Sequence, residues 1–318
     1  MKIGFSLPNH GPTSRSKELG QLATYAEKLG FDYLVESSDH LMVPTGTIGS
    51  IYPYSESGKY MHSKEENIEQ LTTMSFVAAR TNKIRILSAV MVLPYRPPIL
   101  SAKMLSTIDY LSEGRLTVGV GVGWLKEEFD ILDVPFEERG VLADEYIQVL
   151  RNLWSHRKAS FHGKFCSFTD LELVPRPVQK PHPPIWVGGE STKAMKRAAK
   201  FGDGWLPIGA NPSFPLDSPE RMKLAIRRLH KYMRDARRQS GDVEIGYMVP
   251  GYRLVPDSQV KNSGPFSGSA QKIIDSIREF EKIGVSFLGF SLREETLQET
   301  LNATDKFASE ILPAIGRK

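Results

Sequence analysis

Cysteine is almost missing from this chain of 318 residues, where Cys166 stands alone. A lone thiol forms no internal disulfide, and it leaves no partner for a zinc ribbon or a CxxC redox pair. A reducing, cytoplasmic setting is the expectation. Charge of one sign is also scarce: 41 lysines and arginines face 37 aspartates and glutamates, a net charge of +4 with no long basic block. Nucleic acid is therefore not an expected partner. No apolar run approaches the roughly 18 residues of a membrane span. The opening Met1-Lys2-Ile3-Gly4-Phe5-Ser6-Leu7-Pro8 is too short, and too soon broken by proline, for a secretory h-region. Neither membrane insertion nor export by the usual route is expected. The remaining composition, 40% hydrophobic and 25% charged, belongs to globular chains and excludes gross disorder, collagen and disulfide miniproteins.

What the chain does contain is a rhythm of short β-branched runs and longer stretches of helical period. The predicted strands are Lys2 to Leu7, Phe31 to Glu36, Ile84 to Leu93, Leu116 to Gly121, Pro184 to Val187, Asp203 to Pro207, Val243 to Val255 and Ser286 to Phe290. Most are apolar throughout, as strands covered on both faces must be. Helix ends are legible between them. Ser63 and Glu66 have capping-box spacing. Pro98 opens a helix over Ile99 to Ser112 with Gly114 just past its end, and Ser218-Pro219 opens another. Ile273, Ile277, Phe280 and Gly284 form an apolar stripe opposite Lys272, Asp275, Arg278 and Glu279. Neither an internal repeat nor a linker divides the chain, so one domain over 1–318 is expected.

Eight such units close most naturally into a single (β/α)8 barrel. The alternative is a doubly wound open sheet. Against it, the first strand–helix turn, Pro8-Asn9-His10-Gly11-Pro12, lacks a GxGxxG fingerprint. Two segments exceed ordinary loop length. Ser37 to His62, with Tyr52, Tyr54 and Tyr60, reads as a lid after strand two. Ala159 to Pro183 reads as an ordered insertion before strand five.

In a barrel, chemistry sits at the carboxyl ends of the strands. Strand two ends in Ser37-Ser38-Asp39-His40, where the imidazole can exchange a proton near neutral pH. A structural cap for the loop is the other reading, and a metal pair lacks supporting ligands. Gly188-Gly189-Glu190-Ser191 joins a strand to a helix, so bare amides and the positive helix end face one point, suited to a phosphate. A plain strand–helix turn with Ser191 as N-cap competes with that reading. Gly119-x-Gly121-x-Gly123 clears one face of strand four, either for a flat ring or for close packing or a bulge. Trp124 stacks on a ring or fills space above the barrel. Arg96 either neutralises an anionic ligand or pairs with a surface carboxylate. His10, His62, His156, His162, His182 and His230 show no paired spacing and receive no role.

The combination is more specific than its parts. Ser38-Asp39-His40-Leu41, Leu93-Pro94-Tyr95-Arg96-x-Pro98, Ala102-Lys103, Asp109-x-Leu111-Ser112-x-Gly114-Arg115-Leu116, Gly119-x-Gly121-x-Gly123-Trp124, Pro175-Arg176-Pro177-x-Gln179-x-Pro181-x-Pro183-Pro184-Ile185-Trp186-x-Gly188-Gly189 and Gly202-Asp203-Gly204-Trp205 together resemble the bacterial-luciferase-like family. The resemblance is strong to about Pro207 and weak beyond it.

The resemblance implies a (β/α)8 barrel and a flavin-type ring on its carboxyl face. The phosphate would lie over Gly188, Gly189, Glu190 and Ser191, and a bulge with a non-prolyl cis peptide would lie within Ser88-Ala89-Val90. Gly121, Gly123 and Trp124 would flank the ring. Asp39 and His40 match the acid–base pair of deazaflavin-dependent sugar-phosphate dehydrogenases. Those enzymes place a glutamate where this chain has Trp124, which leaves Glu127 or Glu128 to reach the site from the next turn.

The implied cofactor is coenzyme F420 (8-hydroxy-5-deazaflavin), with FMN and oxygen as the alternative. The implied activity is two-electron hydride transfer on a small organic substrate, against monooxygenation. Family precedent adds a homodimer and a separate reductase supplying reduced cofactor. For an acidic glutamyl tail, Arg96, Arg253 and Arg293 are the candidate cations. A barrel lyase or aldolase, or a non-catalytic flavin-binding protein, is the remaining alternative; no Schiff-base lysine or carboxylate-rich metal site stands at a strand end.

Overall fold

The structure, a computed structural model, describes residues 1–42, 48–60, 67–259 and 264–316. Eight parallel strands form the centre: β1 (Lys2–Leu7), β2 (Tyr33–Glu36), β3 (Arg85–Ser88), β4 (Leu116–Gly121), β5 (Ile185–Gly188), β6 (Gly204–Leu206), β7 (Glu244–Met248) and β8 (Phe287–Phe290). Their order runs β3-β2-β1-β8-β7-β6-β5-β4, and β4 pairs back onto β3 through Ile86 opposite Leu116, so the sheet closes. The barrel expectation is met and the open sheet is excluded.

Alternation along each strand sorts the core into two shells. Tyr33, Val35, Leu87, Trp186, Leu206 and Phe287 point inward and fill the cylinder. Ile3, Phe5, Leu34, Ile86 and Val118 belong to the outer shell, under the helices. Burial on both faces explains why these strands read as continuous apolar runs.

The helices that follow the strands are α1 (Ser16–Lys28), α2 (Gln70–Arg80), α3 (Pro98–Leu111), α4 (Arg139–Ser155), α5 (Thr192–Phe201), α6 (Pro219–Asp235), α7 (Ala270–Lys282) and α8 (Leu297–Glu310). Pro98 opens α3 at its first turn, and Gly114, at φ 83°, lies just past its end. Ser191, Ser218 and Ser269 each accept a first-turn amide of α5, α6 and α7. Ile273, Ile277 and Phe280 of α7 are buried as their spacing predicts. The Ser63–Glu66 capping box falls outside the described residues; α2 begins at Gln70, with the Glu69 carboxylate accepting the Thr72 amide at 2.6 Å.

Three strand bounds need correction. β3 breaks after Ser88 at a cis Ala89–Val90 peptide and resumes as Met91–Val92, which pairs with β4. The predicted Val243 to Val255 strand contributes only β7, because Pro250 and Gly251, at φ 68°, turn the chain out of the barrel. Arg253–Leu254 then pairs with Ser267–Gly268 instead. Phe31 and Asp32 lie ahead of β2 rather than in it.

The insertion between α4 and β5 is ordered. Ala159–His162 and Ser167–Leu171 form an antiparallel hairpin. Asp109 of α3 is wholly buried and accepts the Val178 amide at 2.7 Å and the Gln179 amide at 3.1 Å. Arg115 donates to the carbonyls of Ala78, Thr81 and Ile84. The Asp109-to-Arg115 motif thus holds the scaffold rather than a ligand. Among the described residues no helix is long and apolar enough to cross a membrane.

Candidate active site

A cavity of about 960 Å³ opens over the carboxyl ends of the strands. Every β-strand of the barrel except β7 and β8 sends residues to its wall, from His10 after β1 to Ile208 after β6. The volume lies at the upper end of the usual range for small-molecule sites, enough for a cofactor ring beside a substrate.

His40 stands on this wall, and its ring is held from behind. Glu128, fully buried on the short helix Lys126–Ile131, approaches His40 Nδ1 at 3.0 Å through Oε2. The same carboxylate accepts the Tyr95 hydroxyl at 2.9 Å, and the amides of Leu41 at 2.5 Å and Met42 at 3.0 Å. A carboxylate oxygen facing Nδ1 accepts, so Nδ1 carries a proton, and in the neutral ring Nε2 holds the lone pair that a ligand can meet. Glu128 thus reaches the site from the turn after Trp124. Its neighbour Glu127 accepts the amides of Gly49 and Ser50 at 2.6 Å and 3.0 Å, and the Ser50 hydroxyl at 2.6 Å.

Asp39 does not share the exposure of His40. Its side chain is sealed and takes a two-pronged grip from Arg96 at 2.7 Å and 2.8 Å, plus the Val92 amide at 2.7 Å. Arg96 also donates to Glu69 at 2.6 Å. Asp39 thereby fixes the end of β2 against the second arm of β3. Burial works to raise its carboxyl, and the guanidinium works to lower it. Of the two readings of Arg96, pairing with a carboxylate holds, but the two-pronged partner is the buried Asp39, with the partly exposed Glu69 beside it. Next to this pair Glu36 is completely buried with neither oxygen hydrogen-bonded among the described residues. Burial, with Asp39 and Glu69 nearby, holds its carboxyl well above the usual range.

The glycines of β4 answer to the bulge. A Cβ on Gly119 would stand 1.9 Å from the Ser88 carbonyl, and one on Gly121 would stand 2.6 Å from Val90 Cγ2. Gly188 faces Val90 from the other side, at 2.8 Å for the same construction. Close packing around the bulge is therefore the first use of this run. Ala89, Val90, Gly121, Gly123 and Trp124 do line the cavity. Ser88 does not: its hydroxyl is fully buried and bonded to the Gly119 carbonyl and amide, both at 2.9 Å.

At the far side the chain turns from β5 into α5 with Gly189 at φ 101°, and Ser191 caps the helix by accepting the Ala194 amide at 3.2 Å. The amides of the first turn have no intrahelical acceptors and face the cavity with the positive helix end. The Glu190 carboxylate accepts the Ile208 amide at 2.7 Å and Asn211 Nδ2 at 3.0 Å. Burial pushes it above the usual carboxylate range.

Four rings roof the cavity. Trp124 lies 5.1 Å from Tyr52, 5.0 Å from Tyr60 and 6.0 Å from His40, centroid to centroid. Burial lifts the Tyr60 phenol to about 12, so it stays neutral. Tyr54 lines the same space. Of the expected lid, 43–47 and 61–62, with His62, fall outside the described residues. His10, assigned nothing on sequence grounds, lines the cavity and accepts from Arg293 Nη1 at 2.5 Å. Its position at the end of β1 was the available signal. Arg96, Arg253 and Arg293 are not on the cavity lining, Arg96 being held by Asp39 and Glu69 and Arg293 by His10, whereas Lys193, Lys196 and Lys200 of α5 do line it.

A closed parallel barrel with an imidazole–carboxylate pair on one wall of its carboxyl-face cavity, and a helix start on another, has the plan of a barrel oxidoreductase. The chain belongs to the luciferase-like monooxygenase family, whose sequence profile matches residues 1–253. It is 32% identical over 192 residues to the FMNH(2)-dependent dimethylsulfone monooxygenase of Pseudomonas putida, a match covering 59% of this chain and 48% of that protein. It is 34% identical over 142 residues to the pyrimidine monooxygenase RutA of Allorhizobium ampelinum, covering 43% of this chain and 38% of that protein. The chain thus spans less than half the length of each of these two relatives. Among solved structures, monooxygenase RslO1 from Streptomyces bottropensis superposes with a TM-score of 0.76 at 21% identity, over 99% of this chain and 100% of that one. An F420-dependent secondary alcohol dehydrogenase in complex with an F420-acetone adduct superposes with a TM-score of 0.75 at 18% identity, over 99% and 98%. These superpositions confirm the barrel. Of these proteins, one is named for FMNH(2) and one structural neighbour for F420.

Proposed function

We propose that this protein transfers a hydride between a deazaflavin, coenzyme F420, and a small organic substrate, with His40 exchanging the accompanying proton. The observation that carries this reading is the His40–Glu128 pair at the cavity wall. A hydride reaction on an alcohol or carbonyl carbon needs one proton taken from, or given to, the substrate oxygen, and a positioned imidazole does this. His40 Nε2 would take that proton in oxidation and return it in reduction. Glu128 would hold the tautomer that leaves Nε2 open. Asp39 would keep the strand end in register through Arg96 and the Val92 amide.

The residues present fit the cofactor. The glycine turn leaves room for a phosphate against the α5 amides, and Val90, Gly121 and Gly123 offer a surface without bulky polar groups for the ring. When bound, the deazaflavin supplies the carbon that accepts or gives the hydride. Trp124, Tyr52 and Tyr60 would exclude water above it.

A second reading, FMN-dependent monooxygenation, draws support from the two named monooxygenase relatives, which are above 30% identical where they match. Titrating the purified protein with oxidised F420 and with FMN, and following ring absorbance and fluorescence, separates the two. Tight F420 binding with hydride transfer to or from added alcohols or ketones is the expected result. Binding of FMN alone, with oxygen uptake when the flavin is supplied as FMNH2, would replace the first reading by the second.

A further inference from the structure

The cavity does not end at the Gly188–Ser191 turn. It continues as a groove between α4 and α5, lined on one side by Arg139 and Asp144 and on the other by Lys193, Lys196 and Lys200. The three lysines are three and four positions apart, so they share one face of α5 and span about 10 Å along it. All three are exposed, and none forms an ion pair among the described residues. Lys196 and Lys200 lie 5.5 Å and 4.8 Å from the rings of Tyr232 and Phe201. Arg197, on the same face between Lys196 and Lys200, is instead tied to α4: it is buried, ion-paired to Asp144, and donates to the Gly140 carbonyl at 2.9 Å.

Asp144 is thus already neutralised, and Glu137 is the other carboxylate on the lining of this arm. Across from the lysines, the Arg139 guanidinium stacks on Phe136 at 3.7 Å, and its Nε has no hydrogen-bond partner among the described residues. The excess of cation therefore starts at the anion position and runs outward from it. A mononucleotide ends at its phosphate and would leave this row unmatched.

We propose that the α4–α5 groove binds an oligoanionic chain that continues outward from the cofactor phosphate, with Lys193, Lys196 and Lys200 as its counter-charges. This rests on the deazaflavin reading, whose cofactor carries an acidic glutamyl tail. The groove then selects the tailed cofactor over one cut at the phosphate, without touching the reacting ring. Each exposed cation–carboxylate contact contributes about a twofold gain, so the three together give roughly tenfold at low salt. Because the pairs are exposed, the gain shrinks as ionic strength rises.

The test measures dissociation constants, by fluorescence titration at low and at 0.5 M salt, of two probes: F420 with its oligoglutamate tail, and the same deazaflavin ending at the phosphate. Three proteins are compared: the unaltered chain, Lys193→Gln/Lys196→Gln/Lys200→Gln, and the control Lys223→Gln/Arg227→Gln/Arg228→Gln, which removes equal charge from α6. The expected result is a roughly tenfold preference for the tailed probe in the unaltered and control proteins, lost in the α5 variant and lost in salt. An α5 variant that keeps the preference, or an unaltered protein that has none, overturns the groove proposal and leaves the cofactor assignment standing. An unaltered protein that binds neither probe overturns both.

Discussion

Replacing Glu128 by glutamine separates the shape of the site from its charge. The amide oxygen can keep the Leu41 and Met42 amides that Oε1 now accepts at 2.5 Å and 3.0 Å. The new NH2 then lies where Oε2 meets His40 Nδ1 and the Tyr95 hydroxyl, at 3.0 Å and 2.9 Å. A donor facing Nδ1 forces the imidazole proton onto Nε2, the nitrogen that should accept from substrate. Loss of one charge-assisted contact costs about 1.5–3 kcal/mol of stability. At roughly 2 °C per kcal/mol for a chain of this size, the melting temperature falls by only a few degrees. Turnover is expected to fall far more, about 10²- to 10⁴-fold, as when a tautomer-fixing carboxylate is neutralised elsewhere. The assay pairs steady-state turnover with cofactor binding for Glu128→Gln and His40→Ala. Both variants should bind cofactor as the parent does, and the double variant should be no slower than His40→Ala alone. Turnover of Glu128→Gln within twofold of the parent would refute the tautomer argument, and parental turnover in His40→Ala would remove the imidazole from the chemistry.

Other perturbations test the supports of the site. Gly119→Ala drives a Cβ to 1.9 Å from the Ser88 carbonyl and should cost at least about 3 kcal/mol in urea unfolding, with no relief from Val90→Ala. Gly188→Ala meets Val90 Cγ1 instead, at 2.8 Å, so Val90→Ala should recover most of its loss; equal rescue of both glycine variants would count against this geometry. Arg96→Met strands the buried Asp39 carboxylate and should destabilise by about 3–5 kcal/mol, whereas Arg96→Met with Asp39→Leu should recover much of it. Glu36 binds a proton on folding, since its folded value lies well above the unfolded value of about 4.3. Its contribution is complete below that unfolded value and is lost as pH rises toward the folded one, so Glu36→Gln should flatten the fall in stability between pH 5 and 8; an unchanged slope would speak against a neutral Glu36.

The sequence makes the barrel legible because its strands are buried on both faces, so each reads as an uninterrupted apolar run with helix caps at its borders. It overextends β7 for the same reason: Val249, Tyr252, Leu254 and Val255 continue the apolar pattern past the Pro250–Gly251 turn. His40 and the α5 turn are found because strand ends carry their own local signals. Glu128 stands 88 positions from the ring it holds, so which of the two neighbouring glutamates arrives there is decided by the turn after Trp124. Arg96 and Ser88 look like ligands in the sequence because nothing local shows that their partners, Asp39 and Gly119, sit beside them at neighbouring strands. The α5 lysines read as an ordinary solvated face until α4 is seen opposite them.

The twin carboxylates of the short helix after β4 have a consequence for how this barrel can be altered. Glu128 tethers residues 41 and 42, and Glu127 tethers 49 and 50, so the chain after β2 is fastened at two points to one short helix. A change that shifts this helix would therefore disturb the imidazole and the Ser50 segment together.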